Sequence, residues 1–169
     1  KIAVEEARRL PRVSGYHILS AFRLHGNRGM ADDLARHVDP EFADYAEVNG
    51  ATALVLDRGY QGRTLSAGQN ACVTLHLSHF GPVPLEDGRL RWSVAGPEGV
   101  VAEGTVEGLT FDRGRNGPLT ELRFRVPEAT DKLTLVAELH DGGKPVAANR
   151  WDFWAFEAPD GNVGGSVLC

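Results

Sequence analysis

Cysteine is almost missing from this sequence: Cys72 and Cys169 are the only two among 169 residues. Two residues so far apart make no disulfide framework, and without a CxxC spacing they offer zinc no ligand pair. The simplest expectation is two free thiols, although the sequence leaves their pairing open. Long apolar runs are lacking as well. No stretch approaches the roughly 18–20 residues of a membrane helix, which excludes a helical span and predicts no membrane partner. The segment Lys1–Arg12 is charged and has no apolar h-region, so it does not read as a secretory signal; the compartment stays undetermined.

Positive charge is in deficit. Eighteen Lys and Arg stand against 23 Asp and Glu, for a net charge of −5. Such a chain lacks the electrostatic footprint of a nucleic-acid binder, and no nucleic-acid partner is expected. Arg89, Arg91, Arg123 and Arg125 alternate along strand-like segments, as the solvated face of a sheet does.

Signatures of chemistry are equally scarce. No GxSxG motif is present. The glycine-rich stretches at 59–62 and 161–165 match neither a phosphate loop nor a dinucleotide fingerprint. His76 and His79 fall three apart on a strand, hence on opposite faces, while His17, His25, His37 and His140 share no ligand spacing. The acidic pairs Glu5-Glu6 and Glu86-Asp87 belong to an exposed helical face and a turn. The expectation is no catalytic residue, no metal and no cofactor.

What is present changes character along the chain. In Lys1–Leu10, Ile2 or Ala3, Ala7 and Leu10 fall on one helical stripe, with Glu5, Glu6, Arg8 and Arg9 outside it, and Pro11 stops the helix. No Ser, Thr, Asp or Asn precedes it as a cap, so the chain is expected to begin inside a helix. Tyr16, Ile18, Leu19, Ala21 and Phe22 form a short run apolar on both faces, the pattern of a strand covered on both sides. An isolated helix–strand step cannot bury its own faces, which predicts a fragment whose neighbours are missing. Asp39–Tyr45 reads as a short helix capped by Asp39 with Pro40 at its first position, ending near Asn49-Gly50.

From residue 51 the hydrophobic period becomes two. Strands are expected at Ala51–Leu56, Asn70–Phe80, Leu90–Val94, Val100–Val106, Glu121–Val126, Leu133–Leu139 and Val146–Phe156. Turns are expected at Gly81-Pro82, Asp87-Gly88, Gly96-Pro97, Asn116-Gly117-Pro118 and Asp141-Gly142-Gly143. Short strands with one apolar face and regular turns predict a mainly β fold, an immunoglobulin-like antiparallel β-sandwich. The expected organisation is a helix–strand step with a connector over 1–50, the sandwich over 51–158, and a flexible tail over 159–169. Trp92 shares the inward row of Leu90 and Val94 and reads as core. Trp151 and Trp154 lie on opposite faces of one strand. One should be a buried anchor and the other packed against a neighbouring domain or the connector, or else a platform for a sugar ring.

Gly15-Tyr16-His17-Ile18-Leu19-Ser20-Ala21-Phe22 resembles the last barrel strand of family 2-like glycoside hydrolases, and Lys1–Arg9 the helix before it. Asp39-Pro40-Glu41-Phe42 and Thr52–Asp57 resemble the connector out of that barrel. Val73–Gly81 and Asn149–Phe156 are similar to the first and last strands of the immunoglobulin-like domain that follows it. The resemblance makes the helix–strand step within 1–50 a remnant of a (β/α)8 barrel, and it implies a parent that cleaves glycosidic bonds with two carboxylates carried on earlier barrel strands. No residue of this chain inherits either role. It further implies a non-catalytic accessory sandwich that buttresses the catalytic barrel, its expected partner, or a subunit contact. The alternatives are a carbohydrate-binding module, with carbohydrate as partner, or a stand-alone interaction sandwich. An unpaired strand at Tyr16–Phe22 would also favour a homodimer.

Overall fold

The computed structural model describes residues 1–10, 12–13, 15–16, 45–129 and 131–157. Two helices and eight strands follow in order: α1 (Ile2–Arg9), α2 (Tyr45–Asn49), β1 (Thr52–Leu56), β2 (Thr64–Ser66), β3 (Asn70–His79), β4 (Leu85–Gly96), β5 (Gly99–Phe111), β6 (Arg115–Arg125), β7 (Asp131–Asp141) and β8 (Lys144–Phe156). One sheet has the order β1-β3-β6 and the other β2-β8-β7-β4-β5. Every pairing is antiparallel except that of β2 with β8.

The two sheets face each other across one apolar core, as alternation predicts. Leu54 and Leu56 of β1, Val73, Leu75 and Leu77 of β3, and Leu122 and Phe124 of β6 meet Leu90 and Val94 of β4, Leu133, Leu135 and Leu139 of β7, and Trp151 and Phe153 of β8. The fold is therefore mainly β, an immunoglobulin-like sandwich. The β7–β8 hairpin closes through Gly142 and Gly143, both at positive φ (52° and 79°), the backbone that a two-residue turn of this hand requires.

A third layer covers the small sheet. α1 lies across β1, β3 and β6, and α2 beside β1 and β8. Val4, Val48, Ala53 and Val55 are buried without belonging to the main core cluster. Ala53 and Val55 point away from Leu54 and Leu56, so β1 is covered on both faces.

Several expectations are corrected. The helix from Ile2 exists, has no side-chain cap and ends before Pro11, but its faces are reversed: Val4 and Glu5 are buried, whereas Ile2 and Leu10 are 44% and 42% exposed. Asn116-Gly117-Pro118 lies inside β6, on the edge of the small sheet, where the register with β3 shifts at Leu75/His76. An edge strand tolerates a proline that cannot donate. The turn falls instead at 112–114, with Gly114 at φ 77°. Asp87-Gly88 likewise lies within β4, and β5 runs on to Phe111. β2 was not foreseen, being three residues paired to a strand distant in sequence. Trp92 is half-buried at the border of the core. Cys72 is not a free thiol but disulfide-bonded, its partner lying outside the described residues. The expected strand Tyr16–Phe22 falls outside the described residues except for Tyr16, which is not in a strand; Asp39, Pro40, the histidines at 17, 25 and 37, and the tail lie outside them too.

Candidate functional site

The strongest polar constellation sits at the seam where β1 meets β8, and α1 builds it. Glu5, 5% exposed, accepts three hydrogen bonds there. Asn149 Nδ2 and Trp151 Nε1 both donate to Oε1 at 2.9 Å, and Arg63 Nη2 donates to Oε2 at 2.8 Å. Asn149 Nδ2 also donates to the Leu54 carbonyl at 2.8 Å, which ties β8 to β1 across the gap between the sheets. Arg63 and Asn149 are themselves buried, at 7% and 1% exposed. A charged pair removed from water is sustained only when further hydrogen bonds support it; here both carboxylate oxygens accept, while Arg63 Nε is buried without a partner.

Three further side chains moor the helix. Arg8 donates to Ser78 Oγ (3.1 Å) and to the carbonyls of Ser78 (3.2 Å), Val48 (3.0 Å) and Gly50 (2.6 Å). Burial draws its guanidinium down from the ordinary value, with the nearby Tyr16 hydroxyl acting in the opposite sense. Lys1 Nζ donates to Glu47 Oε2 at 2.9 Å and to the Arg150 carbonyl at 2.8 Å. Asn116 Nδ2 donates to the Arg8 carbonyl at 2.7 Å, satisfying one acceptor at the helix C-terminus.

The two tryptophans part company. Trp151 is buried in the core, with its indole N–H on Glu5. Trp154, half-buried on the other face of β8, meets Tyr60 edge-on, with ring centroids 5.6 Å apart and planes at 70°. Arg63 reaches over the Tyr60 ring at 5.8 Å, so the connector before β2 joins the buried network to the aromatic pair outside.

Glu5 is enclosed by donors. Glu86 and Asp87 are exposed, and the Asp87 backbone N–H donates to Asp141 Oδ1 at 2.9 Å. A cleft of about 800 Å³ opens between the β3–β4 loop and the β7–β8 hairpin, lined by Thr52, His79, Val83, Glu138 and Lys144 among others. Two histidines line it, and His79 is occupied: the Val83 carbonyl lies 2.8 Å from its Nε2 and can only accept, so Nε2 carries a hydrogen, while Thr52 Oγ1 sits 2.7 Å from Nδ1; His140 stands at the hairpin side. Among the described residues no cluster of three His, Cys, Asp or Glu could hold a metal.

Sequence reasoning offered Trp151 as an anchor or contact, but it put Glu5 on an exposed helical face and gave Arg63 and Asn149 no role. A signal existed for one of them. Asn149 occupies the inward register of Trp151, Phe153 and Ala155, and an amide in an apolar row demands buried partners.

The domain of unknown function DUF8488 matches residues 69–157, from the start of β3 to the end of β8. The chain belongs to this family. No curated protein matches it. Among solved structures it is similar to the CARDB domain of a Pyrococcus furiosus protein in complex with di-metal ions (10% identity, 64% of this chain and 93% of that one, TM-score 0.45). It is also similar to a family 123 glycoside hydrolase from Clostridium perfringens (8% identity, 56% of this chain and 22% of that one, TM-score 0.42). A third is a β-glucuronidase from glycoside hydrolase family 2 (12% identity, 60% of this chain and 11% of that one, TM-score 0.41). The chain thus spans less than a quarter of either enzyme.

Proposed function

We propose that this is a non-catalytic accessory sandwich, mounted through α1 on the catalytic part of a glycoside hydrolase. The observation that carries the reading is the inverted helix. α1 turns Glu5 and Arg8 inward to partners on the sandwich and leaves Ile2 and Leu10 facing out, with Val13 and Tyr16 exposed beyond it. A helix in contact with water alone has the opposite polarity. Such a helix is a two-sided adapter, rigid toward the sandwich and apolar toward a neighbour. The enzyme parentage rests on the sequence phrases at 15–22, 73–81 and 149–156.

The carbohydrate-binding alternative draws less support. With Trp151 buried and the Tyr60 and Trp154 planes at 70°, these rings make no flat strip for successive pyranoses. Isothermal titration with oligosaccharides is expected to give no heat.

The mounting is tested by Leu10→Asp. In this chain alone the change should leave stability within about 0.5 kcal/mol, as for an exposed position. In the intact enzyme it should lower the thermal midpoint of the whole by several degrees. An equal response in both settings, or none in the intact enzyme, would overturn the proposal.

A further inference from the structure

The opposite lateral seam of the sandwich, between β5 and β6, is only partly covered by the described residues, Arg115 reaching over the Phe111 ring at 5.9 Å. β5 is the terminal strand of the five-stranded sheet and pairs only with β4, so its outer edge presents a row of unpaired N–H and C=O groups along a strand of 13 residues. No backbone group of a described residue bonds to that edge. Beside it the core is incompletely covered. Trp92, Val101, Val106, Leu109, Phe111 and Leu119 pack against it yet remain partly exposed.

Charge narrows the occupant. Residues 98–112 contain Glu98, Glu103, Glu107 and Asp112 and no Lys or Arg; Glu107 and Asp112 make exposed ion pairs with Arg89 (3.2 Å) and Arg115 (2.9 Å), which a cation on the open edge would have to compete with. Antiparallel pairing of two copies over the whole of β5 would centre on Thr105 and set Glu103 opposite Glu107, a like-charge cross-strand pair. A second copy is therefore disfavoured. We propose that the β5 edge receives an extended basic segment of another protein as a sixth strand. Alternate apolar residues would cover the half-exposed seam, and Lys or Arg would lie against Glu103 and Glu107. Main-chain pairing gives such a complex its affinity, and the alternating side chains give it selectivity. This goes beyond the accessory role, since it needs neither α1 nor an enzyme parent.

The test is titration of the chain with a synthetic peptide alternating Lys and Val, and with a Glu–Val peptide as control, read by amide exchange and Trp92 emission. The Lys–Val peptide should bind saturably and slow exchange along residues 99–107 alone, while the control should not bind. Glu103→Lys with Glu107→Lys, both exposed, should lower the thermal midpoint by no more than about 4 °C, since the Glu107–Arg89 pair it removes is solvent-exposed. The double variant should weaken the Lys–Val peptide about tenfold and admit the Glu–Val peptide. Absence of binding, protection elsewhere, equal affinity for the double variant, or a dimer through β5 would each overturn the proposal.

Discussion

The two lateral seams of this sandwich are closed in opposite ways. At β1/β8 a helix contributes a carboxylate that collects donors from Arg63, Asn149 and Trp151. At β5/β6 no described hydrogen bond joins the two strands; Arg115 reaches over the Phe111 ring at 5.9 Å, and Trp92 lies at the border of the core. Both seams arise from the same geometry, a three-stranded sheet laid on a five-stranded one, which is too narrow to cover it. The difference shows that a sandwich edge can be sealed by a few directed hydrogen bonds as well as by apolar bulk. Directed bonds are the more brittle seal, because each buried donor left unpaired costs its full desolvation.

That contrast can be broken most forcefully at Trp151. Trp151→Ala empties a core site and removes a donor to Glu5, and should cost about 3–5 kcal/mol in denaturant unfolding. Next is Glu5→Ala, which strands three buried donors and should cost about 3 kcal/mol. It should also bring fast amide exchange to Ile2–Arg9 and a red-shifted Trp151 emission. A loss below about 1 kcal/mol would mean that α1 is held by Val4 and Arg8 instead.

On the open side the response should be softer. A Cβ at Gly104 would lie 2.8 Å from Trp92 Nε1 and 2.9 Å from Cε2 and Cζ2 of the same ring, against the inner face of β5. Gly104→Ala should therefore cost about 1 kcal/mol, the low end of overpacking, because the indole can swing toward the partly covered seam. A cost near that of Glu5→Ala would show the β5 seam to be as tightly closed as the other.

The smallest expected effect is in pH. Burial lowers the pKa of His76 on β3 from 6.5, the positive charge of Arg9 adds to this, and Asp57 opposes it. The unfolded chain then takes up the proton more readily than the folded one. Stability from this group is complete above pH 6.5 and declines as pH falls from there through the lower folded value. His76→Gln should flatten unfolding midpoints across that window; an unchanged slope would remove His76 as its source.

Period-two alternation, one apolar residue in two with glycine at the turns, made most of the strands legible: β1, β3, β7 and β8 stand close to where the pattern puts them. It could not supply β2, three residues long, or the hairpin at 112–114. There Asn116-Gly117-Pro118 imitates a turn but is carried within an edge strand by a register shift. The junction was illegible for a different reason. Glu5 and Arg8 look like solvent-facing charges on any helical projection, and only donors and acceptors from residues 48, 63, 78, 149 and 151 reverse that reading. The sequence by itself determined the sandwich, because burial of alternate side chains is a local, repeating demand that each strand states alone. Tertiary structure decided which face of α1 turns inward, since a buried charge is tolerated only where groups far apart in the chain converge to pair it.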